Sequence, residues 1–169
     1  CKPLSIALAV EAKTRVILGF QVSRMPAKGR LARLAKKKYG PRQDDRKEGL
    51  TTLFHQIAPH MEIKTLPHIS LLSDKCPLYA GVVHRVLKKE LHLDVEYRQV
   101  KGRRALSIGG GEIKRGYNDP LFSLNHTCAM FRAHVSRLIR RTWNTTKKME
   151  SLIDHLHVYM MEHNLRLLT

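Results

Sequence analysis

The sequence predicts a mixed α/β domain with its strands gathered early and its long helices late. Three observations lead there. Near the start, the large apolar residues Leu4, Ile6, Leu8 and Val10 alternate with small or polar ones, the period of a half-covered strand. A short apolar run, Ile69 to Ser73, is followed at once by Pro77 and a helical stripe, which reads as a β-α unit. In the last third, apolar residues recur at three- and four-residue spacing, the mark of helices with one buried face. At 169 residues the chain, residues 1–169, suits a single domain able to bury a full core.

The first strand, Leu4 to Val10, places Ser5, Ala7, Ala9 and Glu11 on the face opposite its large apolar residues. Lys13-Thr14-Arg15 makes a polar turn and Val16 to Val22 returns, so the two strands form a hairpin. From Met25 to Glu48, Lys and Arg dominate around Gly29, Gly40 and Pro41, which predicts a short helix from Arg30 to Lys38 and an exposed loop. Gly49 precedes a helix in which Leu50, Leu53, Phe54 and Ile57 share a face, ending near Pro59. Ile69 to Ser73 is a strand with Asp74 at its carboxyl end. Pro77 then opens a helix whose Leu78, Tyr79, Val82, Val83, Val86 and Leu87 form the apolar stripe. Val95 to Val100 is a further strand, and Lys101 through Gly111 a basic hairpin or flexible loop. Ser123 caps a helix to about Arg141 with Leu124, Cys128, Phe131, Val135, Leu138 and Ile139 inward. Ser151 caps the last helix, with Leu152, Ile153, Leu156, Tyr159 and Met160 inward.

Charge narrows the partners. The formal net charge is +17, from 31 Lys and Arg against 14 Asp and Glu, far beyond what solubility needs, so a polyanion is attracted and nucleic acid leads. No apolar run approaches the roughly 20 residues of a spanning helix, and the basic residues are spread over both halves, which argues against a membrane. Cys1, Cys76 and Cys128 lie far apart with no C-x-x-C pair, so neither a disulfide framework nor a thiolate zinc site is expected, and a reducing cytoplasm fits. The ten histidines show no paired metal spacing. Opening on Cys-Lys-Pro, close to a strand, the chain reads as a fragment whose upstream part is missing.

Acidic residues are scarce enough to be informative. Two hard divalent cations about 4 Å apart, held by carboxylates, can activate a water or a DNA 3′-hydroxyl and stabilise the leaving oxygen of a phosphodiester. Such a site needs acids from separate elements: Glu11 after the first strand, Asp74 after the central one, and a third ligand from the late helix. Each also has a plainer reading. Glu11 fits a solvated strand end paired with Lys13, and Asp74 a helix cap before Pro77; a polar residue at the start of the late helix, such as Asn125, fits local capping.

Three segments, in this order, resemble the DDE-type transposases of compact bacterial insertion sequences. Leu8 to Phe20 is similar to that family's opening hairpin, Ser73-Asp74-Lys75-Cys76-Pro77-Leu78-Tyr79 to its second motif, and Asn125 to Arg132 continuing through Arg137 to Thr142 to its third. The resemblance spans almost the whole chain. It implies a ribonuclease-H-like mixed β-sheet of about five strands flanked by α-helices. It also implies a two-ion Mg²⁺ or Mn²⁺ site on Glu11, Asp74 and Asn125, which would carry both catalysis and metal binding. The expected function is DNA cleavage and strand transfer at insertion-sequence ends, on double-stranded transposon ends and target, by a homo-oligomer associated with the bacterial nucleoid. End recognition would belong to the missing upstream part. The family usually carries Asp where Glu11 stands and Glu where Asn125 stands, although some compact members use Asn, so this copy's site is weakened. Asp119 is a reserve third ligand.

Lys101, Arg103, Arg104, Arg132, Arg137, Arg140 and Arg141 are the candidate DNA-binding residues, read as phosphate contacts without base specificity. Lys36-Lys37-Lys38 is a weaker candidate of the same kind. Two other readings stay open: a basic DNA-binding remnant without chemistry, and a nuclease or resolvase of the same fold.

Overall fold

The computed structural model describes residues 4–27, 29, 32–61, 69–101, 107–108, 111–112, 119–138 and 148–168. The fold is mixed α/β, in three layers around a hairpin. Strands β1 (Leu4–Val10) and β2 (Ile17–Arg24) pair antiparallel from Leu4↔Arg24 to Ala9↔Gly19, with a register shift at Ala9/Val10. The turn closes by Glu11 N–H donating to Val16 O (2.9 Å) and Arg15 N–H to Glu11 O (2.9 Å), which sets Arg15 at φ +66°.

The alternation seen in the sequence decides what each face of the hairpin meets. Its small side, Ala7, Ala9 and Gly19, lies under helix α2 (Arg46–Met61), where a Cβ on Gly19 would stand 3.2 Å from Leu53 and 3.3 Å from Ile57. Its large side, Leu4, Ile6, Leu8, Phe20 and Val22, packs against helices α4 (Phe122–His134) and α5 (Met149–Leu168). Short helix α1 (Ala32–Tyr39) buries none of its residues, and the expected start at Arg30 lies outside the described residues.

Helix α2 begins before Gly49 rather than after it. The reason is tertiary: Gly49 passes so close to β2 that a Cβ there would collide with the Ser23 hydroxyl, so the glycine serves a crossing, not a boundary. Pro59 falls near the helix end, as expected. Strand β3 (Ile69–Ser73) pairs parallel with β4 (Val95–Gln99), in register from Ile69↔Val95 to Ser73↔Gln99. Helix α3 (Pro77–Val83), continued by a π-helix over His84–Glu90, makes the crossover and buries Val82, Val83, Val86 and Leu87. Leu91 N–H reaches Val86 O (2.9 Å) and Leu93 N–H reaches Leu87 O (2.8 Å), which turns the chain through His92 at φ +52°. Glycine is the favoured residue for that conformation at a helix end. We therefore expect His92→Gly to raise stability by about 1 kcal/mol, read as a Tm increase of roughly 2–4 °C.

One continuous sheet of about five strands is not what the described residues form. They pair two by two: β1 with β2, β3 with β4, and the two-residue strands β5 (Ser107–Ile108) and β6 (Gly111–Glu112) with each other. Between the first two pairs the connection is made by side chains. Ala7 and Ala9 of the hairpin, and Ile69, Leu71 and Tyr97 of the parallel pair, all pack on the cluster built by α2, α3 and the π-helix.

Helix α4 also departs from the expected Ser123–Arg141. It ends at His134, Val135 is extended at φ −96° and ψ 99°, and a 3₁₀ turn (Ser136–Leu138) follows. Ser123 is not its N-cap, because its hydroxyl donates across the molecule to Ala12 O at 2.6 Å. Helix α5 likewise starts at Met149, before Ser151, and its inward residues are as expected, with Leu152, Leu156 and Tyr159 buried. Its far end holds the hairpin: Asn164 accepts from Ile17 N–H and donates to Ile17 O, both at 2.9 Å, and the His163 ring lies 3.1 Å from Arg15 O. Among the described residues no helix is long and apolar enough to cross a membrane.

Candidate active site

Glu11 stands exposed where β1 ends. Its carboxylate accepts the Thr14 hydroxyl, and among the described residues it makes no ion pair with Lys13. The turn residue is therefore fastened by its own loop.

Asp74 occupies the junction between β3 and α3 and is also exposed. It is not the N-cap of α3, a position taken by Cys76 without a side-chain bond; instead Asp74 Oδ1 accepts Cys76 N–H at 3.0 Å. The junction is pinned from β4. Gln99 Nε2 donates to Cys76 O (3.1 Å) and Asp74 O (3.4 Å), while the Tyr97 and Ser73 hydroxyls meet at 2.7 Å. Tyr79, one turn into α3, has its hydroxyl pushed up to about 12, first by burial and then by the nearby Asp74 carboxylate, with Cys76, Tyr97 and Cys128 adding to it. Cys128 belongs to α4.

At the start of α4, Asn125 is half-buried and donates its Nδ2 to Asp119 Oδ2 at 2.8 Å. Asp119 Oδ1 accepts Leu121 N–H at 3.1 Å, and Asp119 O accepts Phe122 N–H at 3.0 Å. Asp119 thus closes the turn that leads into the helix and anchors Asn125, two duties that use both carboxylate oxygens. Asn125 keeps its carbonyl oxygen as an acceptor. Removing the carboxylate leaves the Leu121 N–H without its acceptor and the Asn125 amide without its partner, so Asp119→Ala is expected to cost about 1–2 kcal/mol in urea unfolding.

The first turns of α4 bring Asn125 toward the turn that follows Glu11. Ser123 ties them to Ala12, the residue after Glu11. Asn125 sits two residues on. Contact is direct only between Asn125 and Asp119. Among the described residues, no three His, Cys, Asp or Glu side chains converge closely enough to hold an ion, so Glu11, Asp74 and Asp119 are not a three-carboxylate cluster. The donor types, two carboxylates and an amide oxygen, suit a hard divalent cation.

Sequence reading passed over His126. Its ring lies against Phe122 (centroids 5.8 Å apart), beside Asn125, and its Nδ1 is buried without a hydrogen-bond partner. The signal was weak, since a histidine within a helix has no spacing to give it away. Of the candidate phosphate contacts, Lys101 after β4 and Arg132 in the last turn of α4 are exposed. Arg103, Arg104, Arg140 and Arg141 lie outside the described residues, as does the side chain of Arg137 in the 3₁₀ turn. Exposed basic residues that the sequence did not single out are Arg85, Lys88 and Lys89 on the crossover helix.

Compared with family profiles, with curated proteins and with solved structures, the chain matches none of them.

Proposed function

We propose that this chain is the catalytic core of a DNA transposase, with a ribonuclease-H-like arrangement in which the hairpin and the parallel β-α-β unit lie side by side, cutting and joining DNA at mobile-element ends in the bacterial nucleoid. The observation that carries the reading is the bond from Ser123 to Ala12, which brings the turn after Glu11 to the first turns of α4, where Asp119 holds Asn125; Asp74, at the end of β3, would complete the site. The charge of +17 supports a polyanionic substrate.

In this reading Glu11, Asp74 and Asn125 would hold Mg²⁺ or Mn²⁺ ions, which would supply Lewis-acid chemistry for the attacking and leaving oxygens of a phosphodiester. The chain's own residues do the positioning. Gln99 and Tyr97 fix the backbone on either side of Asp74, so its carboxylate is presented at a rigid strand end. Asp119 holds the Asn125 amide by its Nδ2, so that the oxygen would be the atom offered to an ion. Lys101 and Arg132 contact phosphates flanking the scissile bond, without reading bases. Glu11 reaches one methylene beyond an aspartate, which lowers the rate through misplacement of an ion.

A second reading, a basic DNA-binding remnant without chemistry, is favoured by the lack of a three-carboxylate cluster among the described residues. One assay separates the two: incubation of the chain with supercoiled plasmid in Mg²⁺ or Mn²⁺. The catalytic reading expects metal-dependent nicking, abolished by chelation. The remnant expects salt-sensitive binding, with the plasmid left intact under every metal.

A further inference from the structure

The turn that carries Glu11 is fastened from two helices. On one side the Ser123 hydroxyl of α4 donates to Ala12 O at 2.6 Å. On the other, Asn164 of α5 accepts from Ile17 N–H and donates to Ile17 O, both at 2.9 Å, as a residue of a neighbouring antiparallel strand would. Beside it the His163 ring stands 3.1 Å from Arg15 O; a carbonyl only accepts, so this ring carries a proton on Nε2. These partners lie 111, 147 and 148 residues away along the chain, whereas a surface loop ordinarily leaves such groups to water or to its own side chains.

The fasteners are themselves held. His163 stacks on the buried Tyr159 (ring centroids 5.7 Å apart, 28° between planes), and Tyr159 lies against Phe131 of α4 at 4.8 Å, so the clamp is tied to the core. Arg15 sits at φ +66°, a strained conformation for a residue with a side chain, which persists where the surrounding bonds over-determine it. Here its N–H is bonded to Glu11 O and its own O to His163. These bonds leave the Glu11 carboxylate to Thr14 and act on the backbone that carries it.

We infer that Ser123, His163 and Asn164 are positioning residues, which together set where the Glu11 carboxylate stands relative to Asn125. The inference rests on the catalytic reading of Glu11 and Asn125. Ser123 links the two, standing two residues before Asn125 and bonded to the residue after Glu11. Asn164 and His163 keep the turn from swinging about that single bond, since several attachment points fix orientation as well as place. Misplacing a ligand by about 1 Å costs on the order of 10²-fold in rate, while affinity for DNA, set by phosphate contacts, is left alone.

Two measurements on the chain test it: amide hydrogen exchange followed by nuclear magnetic resonance, and the kcat and KM of Mn²⁺-dependent plasmid nicking. Asn164→Leu is expected to speed exchange at Ile17 and Glu11 at least about tenfold, with the wholly buried Leu156 in the middle of α5 unchanged. Its kcat should fall roughly 10–100-fold while KM stays within about twofold. Ser123→Ala, outside both core clusters, should lower kcat about tenfold, and Ser123→Thr, which keeps the hydroxyl, should recover most of that loss. The inference is overturned by an active wild type whose rate neither substitution changes, by exchange at Ile17 and Glu11 that is the same in Asn164→Leu as in wild type, or by a rate loss that comes with faster exchange at Leu156, the mark of global destabilisation. A wild type that cuts no plasmid under any metal removes the catalytic reading itself, and the positioning role with it.

Discussion

Asp74→Ala is expected to lower metal-dependent nicking and strand transfer by about 10²–10³-fold, the loss that follows removal of one group stabilising charge in a transition state. Sequence-indifferent DNA binding should change little, since Asp74 is not among the cations that contact phosphate. The substitution also deprives Cys76 N–H of its acceptor, worth about 1 kcal/mol, so a structural explanation has to be separated from a chemical one. Asp74→Asn does that. Its side-chain oxygen still accepts from Cys76 N–H while the charge is gone, so it should fold as wild type and yet cleave almost as poorly as the alanine variant. Activity retained in either variant would remove Asp74 from the mechanism.

The second large effect is on stability. Leu156 is wholly buried on α5, in the cluster it shares with Phe20, Phe131, Val135 and Tyr159. Leu156→Ala is expected to cost about 3–5 kcal/mol, the transfer loss plus the cavity, which lowers Tm by roughly 10 °C in a domain of this size. That is a large share of the 5–15 kcal/mol that typically separates folded from unfolded domains. Leu165→Ala, on the exposed side of the same helix, should stay within about 0.5 kcal/mol of wild type by urea unfolding. Equal effects at the two positions would mean that α5 is not packed by the face assigned here.

What the sequence made legible depended on how local the cause was. The alternation at Leu4, Ile6 and Leu8, the run at Ile69 to Ser73 and the proline at 77 are determined within a few residues, and the hairpin, β3 and the start of α3 follow them. Gly49 misled because its reason, the close pass over Ser23, lies in another element. Ser123 misled in the same way: its hydroxyl finds Ala12, 111 residues away, rather than its own helix end. The π-winding after Val83 carries no mark in the residue types. Pairing of strands was the least legible feature, since short runs such as Val95–Gln99 show that a strand exists without showing which neighbour it takes.

The candidate site follows the same division. Glu11 and Asp74 are candidates from residue type and position and Asn125 from the family resemblance, but the surroundings of all three were not legible. The local bonds to Thr14 and Cys76, and the use of both Asp119 oxygens, belong to the folded chain alone. Asp119 changes standing most, from a reserve ligand to the group that holds Asn125.

The claim on which the rest depends is that Asp74 and Asn125 bind a divalent cation. Mn²⁺ titration of the metal-free chain, followed by electron paramagnetic resonance, tests it most directly. The account predicts saturable binding that weakens at least about tenfold in Asp74→Asn and in Asn125→Leu. Binding that is absent in wild type, or identical in all three proteins, would contradict it.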